Sequence, residues 1–395
     1  MREFIQFEEA QRLIQDNTPK LNSIYISILE SSGFILSEDI VSPVDLPLWT
    51  NSAVDGYAIR TKDLKQIPAK LKINGEIKAG DSKIFKLKEG ETIKVFTGSL
   101  IPINADAVVE VEKVKTDRNY IIITENIEQW KNIRKKGEEI RKGQKVISKG
   151  MEITPEIIGF LSSMGIEKVK VFRKPKVYVI TTGSEIIFPD EKLSPGKIYD
   201  SNYAFLSAVL KKLNLEFEIV KTKDDAKKIK NLFRKALRYY DILILTGGIS
   251  VGKYDFVRDV IKREKVNIIF YKVRQKPGKP LLFGIKKKRL IFALPGNPAA
   301  VITCFWEYVY PAIRKMSGFE DIFLPETEKI LKKDIKKKAD RLYFLRGKTD
   351  GDWVEPFEKQ DSHMLSSFVG YNSFIIAPSG ENFIPKGRKV KVHLL

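Results

Sequence analysis

Three glycine-bearing segments, TTGSE at 181–185, TGGISVG at 246–252 and LPGNP at 294–298, each follow a short apolar run. Glycines let backbone amides approach an anion closely, and a helix that starts after such a segment adds partial positive charge at its N-terminus. Turns of this composition are also common for steric reasons alone. If the apolar runs are strands of one parallel sheet, all three segments lie at one edge, and the sequence predicts an anion or nucleotide site there.

A proline-glycine turn, QKPGKP, carries two lysines, Lys276 and Lys279. The restricted geometry of this turn fixes the positions of both lysine side chains and suits the binding of a phosphate or another oxyanion. Exposed lysines, however, are usually only solvated. Glu185 and Asp255 add carboxylates to this otherwise basic set. Carboxylates beside phosphates are favourable chiefly when a divalent cation bridges them. Asp255 also has a simpler interpretation, as the N-cap of a helix at 256–265.

The elements that would position these residues follow from the apolar pattern. Between 175 and 318, short apolar runs alternate with helical patterns, which predicts a doubly wound, mostly parallel α/β domain with helices on both faces of its sheet. The predicted strands are 176–181, 216–220, 241–246, 267–271 and 290–293, and the predicted helices are 202–213, 226–239 and 256–265.

The rest of the chain divides into helical and β-rich parts. Residues 4–14 and 21–29 show helical apolar spacing and predict a helical hairpin, and 154–164 predicts a further helix that begins with a proline in its first turn. Short β-branched runs broken by Gly and Pro predict an all-β module at 43–136. The same pattern after Gly318 predicts a small β-barrel or sandwich.

Composition limits the kinds of protein and of chemistry. The chain has 395 residues, a net charge of +20, no apolar run long enough for a membrane span and no pattern of an export signal, so we expect a cytoplasmic protein of several domains. The charge favours anionic partners, but the lysines are mixed with acids and lack interleaved aromatics, so we expect no specific nucleic-acid binding. The single cysteine, Cys304, lies in an apolar run and is predicted to be a buried thiol. With only His363 and His393 besides, a metal site would use carboxylates and a hard cation.

Two segments of the β-rich part are ambiguous by themselves. NSAVDGYA at 51–58 and FTGS at 96–99 are dense in small polar residues. A tight turn, with Asp55 and Gly56 as the turning pair, explains the first segment as well as a functional loop does. Composition alone therefore favours turns for both.

Taken in order along the chain, the motifs resemble the MoeA family, which includes molybdopterin molybdenumtransferases of bacteria and archaea and the C-terminal domain of gephyrin. The resemblance rests on PLWTNSAVDGYA at 47–58, VFTGSLIP at 95–102, NIRKKGEEIRKG at 132–143, TTGSE at 181–185, TGGISVGKYD at 246–255, QKPGKP at 275–280 and LPGNP at 294–298. It implies four parts, namely a helical segment built from 1–42 and 137–174, an inserted β-module at 43–136, a molybdopterin-binding α/β domain at 175–318, and a C-terminal β-barrel at 319–395.

The resemblance also implies an activity and partners. The reaction is the insertion of molybdate into adenylyl-molybdopterin, with Mg²⁺, to give molybdenum cofactor and AMP. Family members are homodimers in which the β-module of one subunit faces the α/β domain of the other, and an adenylyltransferase supplies their substrate. Molybdate and tungstate are near-isosteric dianions, so the sequence leaves the choice between them open.

The residues that the resemblance implies for the site fall into catalytic and substrate-binding groups. Glu185 and Asp255 would hold the metal. The catalytic positions are Asp55, Thr97, Glu185, Asp224 and Asp255, and the substrate-binding positions are Ser250, Lys276, Lys279, Pro295, Pro298, Arg346 and Ser362.

Two positions depart from the family pattern. Glu139 stands where many relatives have Asp, and Asp361 stands where many have Gly. A carboxylate at position 361 would repel an oxyanion in a neighbouring pocket unless it points away.

Two other functions use the same fold. A scaffold or receptor-anchoring protein would not need the carboxylates and lysines that this chain retains. An adenylyltransferase that makes the activated pterin contains the α/β domain alone, whereas this chain adds the β-module, the helical segment and the C-terminal part. The two enzymes differ in substrate, because the adenylyltransferase consumes ATP and the insertion reaction releases AMP without it.

Overall fold

The computed structural model of the chain describes residues 1–249 and 256–395, which form two compact units. The first unit comprises residues 1–24 and 170–395, and the second comprises residues 25–169. Among the described helices, none is both long and apolar enough to cross a membrane.

The strands and helices alternate along most of the chain. The strands are β1 (Arg2–Ile5), β2 (Ser23–Ser27), β3 (Ile40–Val41), β4 (Asn51–Ser52), β5 (Gly56–Ile59), β6 (Ala69–Ile77), β7 (Glu91–Val95), β8 (Ala107–Glu110), β9 (Val114–Asp117), β10 (Tyr120–Ile123), β11 (Ile133–Arg134), β12 (Lys145–Ile147), β13 (Lys168–Phe172), β14 (Val177–Thr182), β15 (Ile186–Ile187), β16 (Ile198–Tyr199), β17 (Phe217–Thr222), β18 (Ile242–Thr246), β19 (Asn267–Val273), β20 (Gln275–Lys276), β21 (Leu282–Lys286), β22 (Arg289–Leu294), β23 (Glu326–Leu331), β24 (Ile335–Lys336), β25 (Leu342–Asp350), β26 (Trp353–Pro356), β27 (Ser373–Ala377), β28 (Phe383–Ile384) and β29 (Lys389–Leu394). The helices are α1 (Phe7–Asn17), α2 (Pro155–Ser163), α3 (Ser201–Lys212), α4 (Ala226–Tyr239), α5 (Phe256–Arg263), α6 (Pro298–Cys304) and α7 (Tyr310–Met316), with a π-helical turn at Phe305–Val309 and short 3₁₀ turns at Ile28–Glu30, Thr61–Asp63, Val111–Lys113 and Ser366–Phe368.

A seven-stranded sheet forms the centre of the first unit, in the order β1-β19-β21-β22-β18-β14-β17. Strands β22, β18, β14 and β17 pair in parallel, whereas β21 is antiparallel to both of its neighbours. Consecutive residues of β14 alternate between two cores. Val177 and Val179 pack on the face covered by α1, α3, α6 and α7, and Tyr178 and Ile180 pack on the face covered by α4 and α5. The predicted doubly wound, mostly parallel α/β domain is confirmed.

A buried carboxylate holds the amino ends of the three central strands. Asp241, just before β18, accepts hydrogen bonds from both Nη atoms of Arg173 at 2.6 and 2.9 Å, from Nη1 of Arg289 at 2.8 Å and from the amide of Lys176 at 2.9 Å. Burial raises the pKa of Asp241, but these donors outweigh burial and lower the pKa below its ordinary value. The residues that lead into β14, β18 and β22 are thus tied to one side chain.

The N-terminal segment departs from its prediction. The helix α1 forms, but a strand, β1, precedes it and pairs in parallel with β19 at the sheet edge. The predicted second helix of the hairpin at 21–29 is wrong, because this segment forms β2 and a 3₁₀ turn. The run Ser-Ile-Tyr-Ile-Ser in β2 is rich in β-branched and aromatic residues, and that preference outweighs the helical spacing. The predicted helix α2 is confirmed, with Thr154 as its N-cap and Pro155 in its first turn.

The second unit contains a six-stranded sheet in the order β8-β5-β7-β6-β10-β9. Tyr57 and Ile59 face one apolar core of this unit and Ala58 faces another, as the alternation of a strand requires. The predicted all-β character of residues 43–136 is confirmed, since strands β4 to β11 lie within it.

The C-terminal part of the first unit is a closed barrel of five strands. Strands β25, β26, β23, β29 and β27 pair in that order, and β27 pairs back to β25. Strand β20, which precedes the second lysine of the QKPGKP turn, pairs in parallel with β25, with Lys276 opposite Tyr343. The predicted C-terminal β-barrel is confirmed, and β20 fastens the lysine-bearing turn to its wall.

A buried ion pair joins the long helical segment 298–316 to the barrel. Pro311 lacks the amide that would bond the carbonyl of Glu307, and the segment widens there into a π turn in which that carbonyl instead accepts from Nε2 of Gln11 at 3.3 Å. Both carboxylate oxygens of Glu307 lie within 3.0 Å of Nδ1 of His393 in β29. Burial raises the pKa of Glu307. Burial opposes charge on His393 as well, but Glu307 outweighs it and raises the pKa of His393 above 6.5.

We expect Glu307→Gln to lower the pKa of His393, because the amide keeps a hydrogen-bonding partner but removes the negative charge. In the unchanged protein, the stabilisation from charged His393 is complete below the unfolded pKa of about 6.5 and is lost as the pH rises through the raised folded pKa. The thermal midpoint should therefore fall over this range in the unchanged protein and depend less on pH in Glu307→Gln. NMR titration of ¹³C-labelled histidine measures the pKa directly, with the exposed His363 as reference, and an unaltered His393 titration would contradict the assignment.

Candidate functional site

The predicted edge of the sheet carries a pocket. Strands β14, β18 and β22 are neighbours and parallel, so their carboxyl ends lie together. A pocket of about 630 Å³ opens there, and its lining includes Gly183, Gly247 and Gly296. Each of these glycines belongs to a different one of the three segments singled out in the sequence. The structure thus brings all three segments to one site.

Gly247 shows why one of these segments requires glycine. Its φ is +85°, and a Cβ atom there would lie 2.6 Å from the carbonyl oxygen of Thr182. Its amide donates to the carbonyl of Leu294 at 3.3 Å, while the hydroxyl of Thr182 donates to the carbonyl of Thr246 at 3.2 Å. The loops after the three strands therefore pack backbone against backbone.

Glu185 and Asp224 are two of the three carboxylates that line the pocket, and Asp200 is the third. Oδ2 of Asp224 accepts from the amide of Ser184 at 3.3 Å. Burial raises the pKa of Asp224, the Ser184 amide opposes this, and the negative charge of Glu185 raises it further. The pair is thus an arrangement of like charges that a bound cation would stabilise. Within the described residues, no group of three or more His, Cys, Asp or Glu side chains is placed to hold a metal ion.

Ser250 and Asp255 lie outside the described residues. Their predicted roles in substrate and metal binding, and the alternative of Asp255 as a helix cap, remain predictions from the sequence.

A loop of the barrel closes one side of the pocket. The amide of Ala299 donates to the carbonyl of Ser362 at 3.2 Å, and Nδ2 of Asn297 donates to the hydroxyl of Ser362 at 3.1 Å. The next residue, His363, lines the pocket together with Pro295 and Pro298. Pro298 is the first residue of α6, so this loop is bonded to the N-terminal turn of that helix.

The QKPGKP turn packs against the same helix through its glycine. Gly278 has a φ of +92°, and a Cβ atom there would lie 2.5 Å from Sγ of Cys304. The Cys304 side chain is fully buried, which confirms its predicted place in the core, and burial raises the pKa of its thiol. The side chain of Lys279 is exposed and makes no hydrogen bond or ion pair with the described residues. Nζ of Lys276 lies 3.3 Å from Oδ1 of Asp361.

Arg346 lies beneath this region and not on the surface of the pocket. Its side chain is fully buried, and burial lowers the pKa of its guanidinium to about 10. Nε donates to the hydroxyl of Ser367 at 2.9 Å, and Nη2 donates to the carbonyls of Lys359 at 2.9 Å and Asp361 at 3.3 Å. Nη1 has no partner among the described residues. Arg346 therefore holds the backbone that carries Asp361 and Ser362.

Asp55 and Thr97 come together in the second unit. Oδ1 of Asp55 accepts from the amide of Thr97 at 2.7 Å and from its hydroxyl at 2.8 Å. Both hydrogen bonds lower the pKa of Asp55, and the bond from the Thr97 amide has the larger effect. The exposed carboxylate is therefore kept charged. Gly56 does not turn the chain, as the simpler interpretation has it, but begins β5, and a Cβ atom there would lie 2.1 Å from the carbonyl oxygen of Val109.

The sequence did not indicate several pocket residues. Asn202 lies in the first turn of α3, where Nδ2 donates to the carbonyl of Gly296 at 2.8 Å. Asp200 caps that helix through the amide of Tyr203 at 2.9 Å and also lines the pocket. His363 was counted only as one of two histidines. The Asp-Ser-Asn string before a helical pattern is a capping signal that could have identified Asp200.

Three family models together match most of the chain. Residues 5–165 match the model of the MoeA N-terminal region (domain I and II), residues 178–315 that of the probable molybdopterin binding domain, and residues 329–395 that of the MoeA C-terminal region (domain IV). The chain belongs to the MoeA family. This MoeA-family chain is 33% identical over 399 residues to a Staphylococcus epidermidis protein named molybdopterin molybdenumtransferase, covering 99% of this chain and 95% of the relative. A Haemophilus influenzae protein of the same name is 34% identical over 384 residues, and the match covers 94% of this chain and 94% of the relative.

Solved structures agree with the family assignment. The molybdopterin biosynthesis MoeA protein from Pyrococcus horikosii is 33% identical and superposes with a TM-score of 0.85. The superposition covers 99% of each chain. A second structure, of the MoeA protein from Pyrococcus horikoshii OT3, is 30% identical with a TM-score of 0.80. The fold of this chain is therefore that of the MoeA proteins, and its division into four parts stays a prediction.

We expect Gly247→Ala to destabilise the first unit more than Gly196→Ala does. Both glycines have positive φ, +85° and +80°, but a Cβ atom at Gly196 meets no heavy atom within 4 Å. Gly196→Ala should cost about 1 kcal/mol of backbone strain, whereas Gly247→Ala should cost roughly 2–4 kcal/mol because it also forces two strand ends apart. Calorimetric unfolding of both variants measures the difference, and equal losses would contradict the close backbone contact at the pocket.

Proposed function

We propose that this chain is a molybdopterin molybdenumtransferase, an enzyme that inserts molybdate or tungstate into adenylyl-molybdopterin and releases AMP. One observation carries the proposal, namely that relatives with this name match at 33% and 34% identity over 99% and 94% of the chain. The pocket adds chemical support, because its glycine-bearing loops and the helix N-termini at α3 and α6 suit the phosphates of an adenylated pterin. A cytoplasmic location remains a prediction.

The pocket suits the nucleotide end of the substrate in size as well as in chemistry. Its volume of about 630 Å³ falls in the range of small-molecule sites, about 300–1,000 Å³. Amides near Gly247 and Gly248 can approach phosphate oxygens because neither residue carries a side chain. Asn202 and His363 add polar groups that can orient the substrate.

Glu185 and Asp224 fit a role in holding Mg²⁺. Mg²⁺ is commonly bound by one or two carboxylates together with substrate phosphates, so a full cage of protein ligands is not required. Asp255 would be a further ligand by the family resemblance. Mg²⁺, when bound, would neutralise phosphate charge and assist cleavage of the phosphoanhydride.

Lys276 and Lys279 are the proposed cations for the oxyanion, and Ser362 a proposed hydrogen-bond donor. Lys279 is exposed and unpaired among the described residues, so its charge is available to an anion. Arg346 acts as a positioning residue, because its guanidinium holds the carbonyls of Lys359 and Asp361. Fixed cations reduce the repulsion that an oxyanion meets beside a bound phosphate.

The two alternatives differ from this proposal in what they require. An adenylyltransferase needs only the α/β domain, whereas this chain also matches the models of the MoeA N-terminal and C-terminal regions on either side of it. A scaffold needs no pocket with paired carboxylates and nearby lysines. Insertion is therefore the function that the residues favour, with an adenylyltransferase as the proposed supplier of substrate.

We expect anaerobic incubation with adenylyl-molybdopterin, Mg²⁺ and either oxyanion to release AMP without ATP. Lys279→Gln should raise the oxyanion concentration needed for half-maximal release by about tenfold to a hundredfold, the equivalent of a lost charge-assisted hydrogen bond. Asp255→Asn should bind the pterin but release no AMP. Lys287→Gln, which removes an equal charge from the β21–β22 turn, is the control for net charge.

The outcomes separate the three functions. Formation of adenylyl-molybdopterin and pyrophosphate from molybdopterin and ATP would assign the chain to the adenylyltransferases, and the absence of both this reaction and AMP release would favour a scaffold. Normal release by Asp255→Asn would leave Asp255 as a helix cap, since Asn caps helices equally well.

We further propose that the enzyme is a homodimer with a site shared between subunits. Asp55 and Thr97 belong to the second unit, whereas the pocket with Glu185 and Asp224 belongs to the first. The Asp55 carboxylate is exposed and is kept charged by its hydrogen bonds from Thr97, so it is accessible to a ligand. Family members, by resemblance, pair these two units across subunits.

We expect a mixture of Asp55→Asn and Glu185→Gln subunits to recover part of the activity that each variant lacks alone. If the site spans subunits, a heterodimer contains one site with both residues unchanged. Differently tagged subunits, co-purified and assayed for AMP release, test this. Inactive heterodimers would place both residues in one subunit's site.

A further inference from the structure

One of the two lysines proposed to bind the oxyanion, Lys276, already forms an ion pair with a carboxylate. Nζ of Lys276 lies 3.3 Å from Oδ1 of Asp361, and the two side chains are 41% and 58% exposed. Lys276 is held at its backbone by the pairing of β20 with β25, opposite Tyr343. The same ammonium lies 5.6 Å from the Tyr343 ring centre. The lysine thus points into a groove in which a carboxylate is its charged partner.

The backbone of Asp361 is fixed from two sides. Its carbonyl accepts from Nη2 of Arg346 at 3.3 Å and from the amide of Met364 at 3.1 Å. The following residue, Ser362, is bonded to Asn297 and to the amide of Ala299. Both neighbouring elements thus hold the backbone from which the Asp361 carboxylate reaches Lys276.

The groove around the pair is basic and open. It has a volume of about 690 Å³, and Lys276 and Asp361 line it together with Lys337, Arg341 and Glu358. Burial lowers the pKa of Lys337, whose ammonium donates to the carbonyl of Lys338 at 3.2 Å. An anion that enters this groove meets several cations and, at Asp361, a negative charge next to the lysine it must reach.

We propose that Asp361 sets the oxyanion affinity of the site by competing with the oxyanion for Lys276, an inference that rests on the proposed function. In the free enzyme the carboxylate is the charged partner of the lysine. A dianion of molybdate or tungstate displaces this carboxylate by offering Lys276 a stronger partner. Asp361 is thus an intramolecular counter-ion, and it makes binding weaker than the lysines alone would give.

Removing the carboxylate should have a measurable and specific effect. Asp361→Asn should lower the dissociation constant for molybdate and tungstate by about threefold to tenfold, from the loss of one exposed ion pair and of one like charge. In a Lys276→Met background the same change relieves only the like-charge repulsion. Its gain should therefore be at least about twofold smaller than in the presence of Lys276, and such a coupling identifies competition for that lysine.

Isothermal titration of the full chain with molybdate and then tungstate, in the absence of pterin, is the test. Glu358→Gln is the matched control, because it removes an equal charge from the same groove, whereas the ion pair of Lys276 is made with Asp361. Since Lys276 and Asp361 are both partly exposed, all variants should fold, and calorimetric midpoints check this.

The result expected is tighter binding by Asp361→Asn than by the unchanged chain or by Glu358→Gln, with a smaller gain in the Lys276→Met background. An equal gain in both backgrounds, an equal gain in Glu358→Gln, or no gain overturns the proposal while oxyanion binding itself persists. Absence of oxyanion binding in every variant, Asp361→Asn included, overturns both this proposal and the proposed function.

Discussion

The pocket depends on the hydrogen bonds that the buried carboxylate of Asp241 accepts. It bonds Arg173 before β14, Arg289 in β22 and the amide of Lys176, and it stands directly before β18. Three adjacent strands are therefore aligned at their amino ends by one buried group. Because the strands are parallel and of similar length, alignment at that end fixes the relative height of their carboxyl ends. The loops that line the pocket meet because of a charge cluster at the opposite edge of the sheet.

The segment from β19 to β21 links the two architectures of the first unit. It leaves the sheet after Val273, pairs with the barrel at Gln275 and Lys276, and returns to the sheet at Leu282. The buried Gln275 donates to the carbonyl of Pro277 at 3.0 Å and is bonded to the hydroxyl of Tyr308. The lysine turn is consequently held by the barrel, by the sheet and by the long helical segment at once. The turn that carries the proposed oxyanion ligand Lys276 is thus supported by both folds.

Five of the seven strands of the central sheet could be predicted from the sequence, and β1 and β21 could not. The buried strands are continuous apolar runs, and helices such as α4 show a clear amphipathic period, so local pattern and tertiary structure agree. The prediction failed where tertiary contacts decide. Strand β1 is short and mostly exposed and exists by pairing with β19, while the β-branched run in β2 also fits a helical period. In the site, the glycine-bearing loops could be recognised from their composition. Asn202 and His363 could not be recognised in this way, because their place in the pocket depends on which loops from distant parts of the chain meet there.

The burial of the single thiol has a consequence for metal chemistry. Cys304 lies under Gly278, fully enclosed, and its environment disfavours the thiolate. The pterin proposed as substrate brings two sulfur ligands of its own for molybdenum or tungsten, metals that bind thiolates strongly. With its single cysteine buried, the protein offers the metal no thiolate that would compete with those of the pterin. In the proposed reaction, the enzyme would therefore not retain the metal through a thiolate of its own.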